Sequence, residues 1–305
     1  RGVSRGNYDI FTRGLQNPSW DVAEWIWRDD YIDIRRACRF LENVDKCFMD
    51  DALRARMKLE ARALRAYYHM EIMFFFGDIP IVTASVTPLE NHLKRQPASE
   101  VYDFILNELR ACADSLPEEY DSDETWRVSA GACNAMIVRL ALFFHHYDVA
   151  RDAAAKVIES GVYELYHSQK AGASSFAELF SYTGELNKER IFFKADGCSG
   201  AWTTFAPYGI GGETYVSPTS TVVDNFETKQ GKTPTELGPD SLAIYRKNPN
   251  YKNNRDPRLE ASVLYPGQSF IDDDYILLPF NNATANNDRI GVQKSTATGY
   301  WIRKY

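Results

Sequence analysis

From Asp51 to Phe76, the apolar residues Leu53, Met57, Ala61, Leu64, Tyr68, Ile72 and Phe75 recur at steps of three or four, and Arg54, Arg56, Lys58, Arg62 and Arg65 fill the gaps. That period belongs to one long amphipathic helix, whose apolar stripe has to be covered by other helices. Gly77 follows at once and Pro80 lies three positions further on, a helix stop in the expected order. An earlier stretch, from about Asp29 to Phe48, carries Ile34, Ala37, Cys38, Leu41 and Val44 at similar steps and is expected to be its antiparallel partner.

The pattern continues with Ser99 as the expected N-cap of a helix bearing Val101, Ile105, Leu109, Cys112 and Leu116, closed by Pro117. Ser129 caps the next, with Ala132, Met136, Leu140 and Phe143 on one face, and a further helix runs from Asp148 to Glu159. The small residues Ala150, Ala153 and Ala154 let these last two approach closely, as in tetratricopeptide hairpins of about 34 residues. Beyond Gly161 the periodicity fades, and Gly, Asn, Thr, Ser and Pro become frequent, notably over 197–218 and 279–299. The stretch over 197–218 also holds Trp202, Phe205, Tyr208 and Tyr215, which a disordered linker rarely carries, so it reads as an ordered binding surface. The expected fold is mainly α, a single domain with a helical-repeat part over about 29–165 and an irregular, loop-rich part over about 166–305.

With 305 residues the chain is long enough to bury a core without disulfides or metals. Its formal charge of −7 repels polyanions at long range, which argues against nucleic acid and anionic membrane surfaces as partners. Cys38, Cys47, Cys112, Cys133 and Cys198 are scattered without C-x-x-C spacing and form neither a metal signature nor a disulfide framework. Apolar runs such as 72–76 fall far short of the roughly 18 residues that span a bilayer, and residues 1–10 do not resemble a signal peptide. Any export signal or lipid anchor is therefore expected outside this chain.

Several stretches, in order, resemble a known family. Glu60-Ala61-Arg62-Ala63-Leu64-Arg65-Ala66-Tyr67-Tyr68 followed by Phe76-Gly77-Asp78-Ile79-Pro80 looks like the signature helix and turn of the SusD/RagB outer-membrane nutrient-binding lipoproteins. Tyr102-Asp103-Phe104-Ile105, Arg127-Val128-Ser129, the segment from Ala150 to Tyr163, Pro218-Thr219, Arg255-Asp256-Pro257-Arg258 and Thr298-Gly299-Tyr300 are similar to later parts of the same family. Cys38 departs from it, standing where the family usually has Asn, and the chain stops where the family continues, so a fragment is expected. The resemblance implies a SusD-like fold of tetratricopeptide-like helix pairs with a loop-rich ligand-binding lobe. It further implies a surface-exposed protein, lipid-anchored in the bacterial outer membrane, that binds an oligosaccharide, or in some members a peptide, and caps a SusC-like TonB-dependent transporter. No chemistry on the ligand and no cofactor is implied.

Sugars present apolar C–H faces and a hydroxyl rim, so their binding surfaces need exposed aromatic planes and a few fixed polar groups. Trp202, Tyr208 and Tyr215 fit this requirement, and Trp20, in the turn Asn17-Pro18-Ser19-Trp20, is a fourth candidate. Trp25 and Trp27 are expected in the core, and Trp126 and Trp301 in structural roles. Asp272-Asp273-Asp274 and Asp121-Ser122-Asp123-Glu124 offer paired carboxylates for a glycoside hydrolase, but as runs on polar loops they read as solvated charge. His145-His146 cannot form an i, i+4 metal pair and is expected to cap a helix end. Catalytic and metal residues are expected to be absent; a tetratricopeptide adaptor for a protein partner remains an alternative.

Overall fold

The computed structural model describes residues 14–15, 17, 19, 21–87, 89–90, 92–121, 123–170, 174–185, 187–193, 200–247 and 249–304. Trp20 and Cys198 lie outside them. The chain forms two compact bodies, one from Gln16–Leu165 and Lys188–Ala195, the other including Tyr166–Asn187 and Asp196–Tyr305.

The first body is a helical stack of α1 (Asp21–Asn43), α2 (Asp51–Phe76), α3 (Ala98–Ala113), α4 (Ala130–Phe143) and α5 (Tyr147–Glu159), each packed on the next. The long helix has the bounds its periodicity requires. Asp50 accepts the Leu53 N–H at 2.8 Å at one end, and Gly77, at φ 69°, donates to the Met73 carbonyl at the other. Helix α1 begins earlier than expected because Trp27 and Tyr31 extend the Ile34–Cys38 stripe toward the N-terminus. Trp27 meets Phe76 edge-on at 5.1 Å. Trp25 falls off that stripe and is 44% exposed, which corrects its expected place in the core.

Ser99 is not the N-cap of α3. Asp78, from the turn after α2, instead accepts the Ala98 N–H at 2.8 Å, so one carboxylate ties that turn to the start of the next helix. Ser129 does cap α4, accepting from the Ala132 N–H at 3.1 Å. After α4, His145 takes φ 59°, and the His145 and His146 N–H groups satisfy the Leu142 and Ala141 carbonyls, as expected of a helix end. Cys38, Cys112 and Cys133 are fully buried, and burial pushes all three thiols up.

The arginines that fill the gaps of the α2 stripe partly turn inward. Arg62 grips Glu108 through two bonds of 2.8 and 3.1 Å, while Arg65 reaches the same carboxylate at 2.9 Å and the Thr83 carbonyl at 2.8 Å. Burial disfavours the charge on Glu108, yet the two guanidiniums win and hold its carboxyl below the usual range. Glu60 in turn accepts from Arg127 at 2.8 Å and from the Tyr120 hydroxyl at 3.2 Å. These pairs give a physical reason for charged residues on a mostly buried helix.

His69 is fully buried on the same helix. The Val82 N–H donates to its Nε2 at 3.0 Å, so the proton sits on Nδ1 and is donated to the Arg65 carbonyl at 2.7 Å. Burial pulls its pKa down to about 4 from 6.5. The unfolded chain therefore binds this proton more readily, and the stability His69 contributes is complete above pH 6.5 and lost as pH falls through about 4. Urea unfolding of the protein and of His69→Gln across pH 7 to 4 is expected to show their stability difference shrinking by about 3 kcal/mol on acidification. A difference independent of pH would contradict the neutral buried imidazole.

The second body is built from short elements: α6 (Ser175–Leu179), α7 (Ala201–Phe205), α8 (Ser220–Asp224), α9 (Pro239–Tyr245), α10 (Pro257–Ser262), and four strands, β1 (Val263–Leu264), β2 (Ser269–Phe270), β3 (Asp272–Ile276) and β4 (Trp301–Ile302). Strand β1 pairs antiparallel with β4, Leu264 opposite Trp301, and β2 with β3. Successive side chains from Val263 to Tyr265 serve two small cores at once. Val263 and Tyr265 join Val223, Tyr251, Leu259 and Tyr300, whereas Leu264 joins Leu277 and Trp301. Trp301 is thus structural as expected, fully buried, and Phe270 and Tyr275 pack on its cluster. The run Asp272-Asp273-Asp274 lies on β3 rather than on a loop.

Candidate functional site

Residues 200–218 form an ordered loop in the second body, despite their linker-like composition. Gly200 enters it at φ 105° and opens the single turn α7, whose end is closed by the Ala206 N–H on the Trp202 carbonyl at 2.9 Å. A 3₁₀ turn, Tyr208–Ile210, follows, and Gly211 at φ 87° reverses the chain. The returning segment is pinned to the outgoing one: Gly212 N–H to Pro207 O at 2.9 Å, Thr214 Oγ1 to Ala206 O at 3.1 Å, and Tyr215 N–H to Thr204 O at 2.9 Å. Gly212 lies so close to Ala206 that a Cβ there would sit 1.9 Å from its carbonyl oxygen.

Three of the four aromatic residues singled out in the sequence are carried by this one loop. Trp202 is 43% exposed, its indole N–H directed at the Ile210 carbonyl at 3.4 Å and its ring nearly parallel to Phe270, centroids 6.1 Å apart. Phe270 packs on the Trp301 cluster, so the exposed indole is backed by the core. Tyr215 is 44% exposed and Tyr208 half-buried. The Lys294 ammonium lies 5.9 Å from the Tyr208 ring centroid and pairs with Glu213. Trp20, the fourth, is outside the described residues.

The loop is also anchored from below. Asp288, buried, accepts the Gly209 N–H at 2.9 Å and the Tyr275 hydroxyl. Burial and the adjacent Asp288 carboxylate push the Tyr275 phenol up, so it stays protonated and keeps donating. Phe270, Asp288 and Lys294 carried no signal in the sequence reading, because each meets the loop across a long separation, 79 residues for Gly209 and Asp288.

Partly exposed rings, of which Tyr208 lies beside the Lys294–Glu213 pair, can stack on a flat apolar face, and the charged pair can hydrogen-bond to hydroxyls around it. Among the described residues, no group of three or more His, Cys, Asp or Glu is placed to hold a metal ion, and no helix is long and apolar enough to cross a membrane.

Comparison with known proteins bears on this arrangement. The family described as "Starch-binding associating with outer membrane" matches residues 8–142, and the "SusD family" matches residues 149–305. Among solved structures, a SusD-like protein from Bacteroides fragilis is similar at 22% identity and a TM-score of 0.78, over 96% of this chain and 59% of that one. A SusD-like carbohydrate binding protein from the same organism gives 24% and 0.80, over 94% and 55%. A structure named a laminarin binding SusD-like protein gives 21% and 0.64, over 98% and 62%. The chain thus spans 55% to 62% of the length of these three. No curated protein matches. With the SusD family matched over more than half its residues and its mainly helical fold shared with SusD-like structures, the chain belongs to the SusD family.

Proposed function

We propose that this protein is a non-catalytic, surface-exposed glycan-binding protein of the bacterial outer membrane, carried there by a lipid anchor, that passes its ligand to a SusC-like TonB-dependent transporter. Trp202, Tyr208 and Tyr215 are its ligand contacts. The observation that carries the reading is Trp202: an exposed indole whose N–H is directed at the Ile210 carbonyl and whose ring lies nearly parallel to Phe270. Such a ring loses little freedom on binding, so most of the stacking energy is kept. Family membership supports the reading, as does the name of a structural neighbour that binds laminarin, a polysaccharide. The helical body is the scaffold and the side facing the transporter. Single-site affinity is modest and is raised by engaging several sugar units along a polymer.

Titration calorimetry against a panel of neutral plant, fungal and host glycans is expected to find a ligand whose affinity falls about tenfold or more in Trp202→Ala. Unchanged affinity in that variant would remove the indole from the site.

A further inference from the structure

A cleft of about 510 Å³ opens elsewhere on the second body, lined by Thr221, Asp224 and Asn225 of and after α8, Thr233, Thr235 and Glu236 of the next turn, and Leu242 and Arg246 of and after α9. Its walls are held in place. The Arg255 guanidinium fastens the end of α8 by donating to the Val223 and Phe226 carbonyls at 2.7 and 2.8 Å, and the turn at Thr228 closes on the Lys232 carbonyl at 2.8 Å. Thr233 and Glu236 cap each other, with the Thr233 N–H on the Glu236 carboxylate at 2.7 Å and the Glu236 N–H on Thr233 Oγ1 at 3.2 Å. The buried Asp224 carboxylate receives two bonds from Arg246, whose side chain remains 44% exposed.

The chemistry of this lining is selective. Asp224 is already matched by Arg246, so a metal cation gains little there. Two carboxylates against one guanidinium also disfavour an anion. What remains is neutral hydrogen-bonding capacity: among the described residues none engages the Thr221 or Thr235 hydroxyls or the Asn225 side-chain amide. Leu242 adds an apolar wall. Hydroxyl and amide groups in the same lining as one apolar side chain suit the diols and C–H face of an uncharged sugar ring, and the volume falls within the roughly 300–1,000 Å³ usual for small-ligand sites.

We infer that this cleft is a second ligand site, which takes one neutral pyranose unit. The inference rests on the proposed glycan-binding reading only for the source of the sugar; the cleft's own chemistry selects its class. The test is amide-resolved NMR of the whole chain titrated separately with glucose, galactose, mannose, N-acetylglucosamine, sodium sulfate and calcium chloride. At least one sugar is expected to give saturable shifts at amides within 221–246 that persist in Trp202→Ala and weaken about tenfold or more in Thr235→Val and Asn225→Leu, both surface changes. Absence of saturable shifts there with all four sugars, equal affinity in the two cleft variants, or saturation by sulfate or calcium alone would overturn it. The two readings fail separately: shifts confined to 202–215 remove the cleft and leave the aromatic loop, and shifts confined to the cleft do the reverse.

Discussion

Gly212→Val is expected to abolish glycan binding while leaving the helical body folded. A Cβ at position 212 meets the Ala206 carbonyl oxygen at 1.9 Å and its carbon at 2.3 Å. These are backbone atoms of the same loop, so no flexible side chain can move aside. Relief requires separating the two arms pinned by the bonds from Gly212 to Pro207 and from Tyr215 to Thr204. Overpacking of this kind costs about 1–3 kcal/mol where the surroundings yield, and here yielding is itself the loss of the platform that presents Trp202. Binding of the best glycan should fall by about 100-fold or more. Gly211→Ala is the internal comparison: its φ of 87° makes a side chain strained, but no atom lies within 4 Å, so a penalty of only about 1 kcal/mol is expected. Calorimetry measures the binding loss, and far-UV circular dichroism checks that the helices persist. Equal, small effects of the two substitutions would mean that the loop's packing does not matter to the site.

Glu108→Ala is expected to destabilise the helical body by about 3 kcal/mol, within the range found when one partner of a buried ion pair is removed. The carboxylate holds both Arg62 and Arg65, and the Arg65 side chain is only 9% exposed. Its loss leaves both guanidiniums without their carboxylate in a partly buried space, while Arg65 keeps its bonds to the Thr83 carbonyl and the Cys38 sulfur. The exposed pair Arg36 with Asp33, at 76% and 29% side-chain exposure, provides the contrast, since Arg36→Ala should cost under about 1 kcal/mol. Urea unfolding followed by circular dichroism separates the two. A loss at Glu108 as small as at Arg36 would show that the Arg62 and Arg65 cluster is solvated rather than structural.

Both effects show which features of the sequence were readable. Helix α2 could be bounded to the residue because its stop signals, Gly77 and Pro80, are local and its stripe is long. Ser99 failed as a cap because Asp78, which does the capping, is 20 residues away and brought there by the fold. The same limit hid the base of the candidate site. Trp202, Tyr208 and Tyr215 announced themselves as rings in Gly-rich sequence. Asp288, Lys294 and Phe270 meet the loop that carries them only after distant segments fold together. Strands of two residues, such as β1, β2 and β4, are too short to show a hydropathy period in the sequence, and three consecutive aspartates disguised β3 as a solvated loop. Charged residues on a helix also mislead when a partner is supplied from elsewhere, as Glu108 is for Arg62 and Arg65.

The most direct test of the account is amide hydrogen exchange on the intact chain, with and without the tightest-binding glycan. Slower exchange should concentrate in residues 200–218 and in the β2–β3 hairpin that backs Trp202, with the helices of 21–159 unchanged. Protection confined to those helices, with the aromatic loop exchanging as fast as in the free protein, would contradict it.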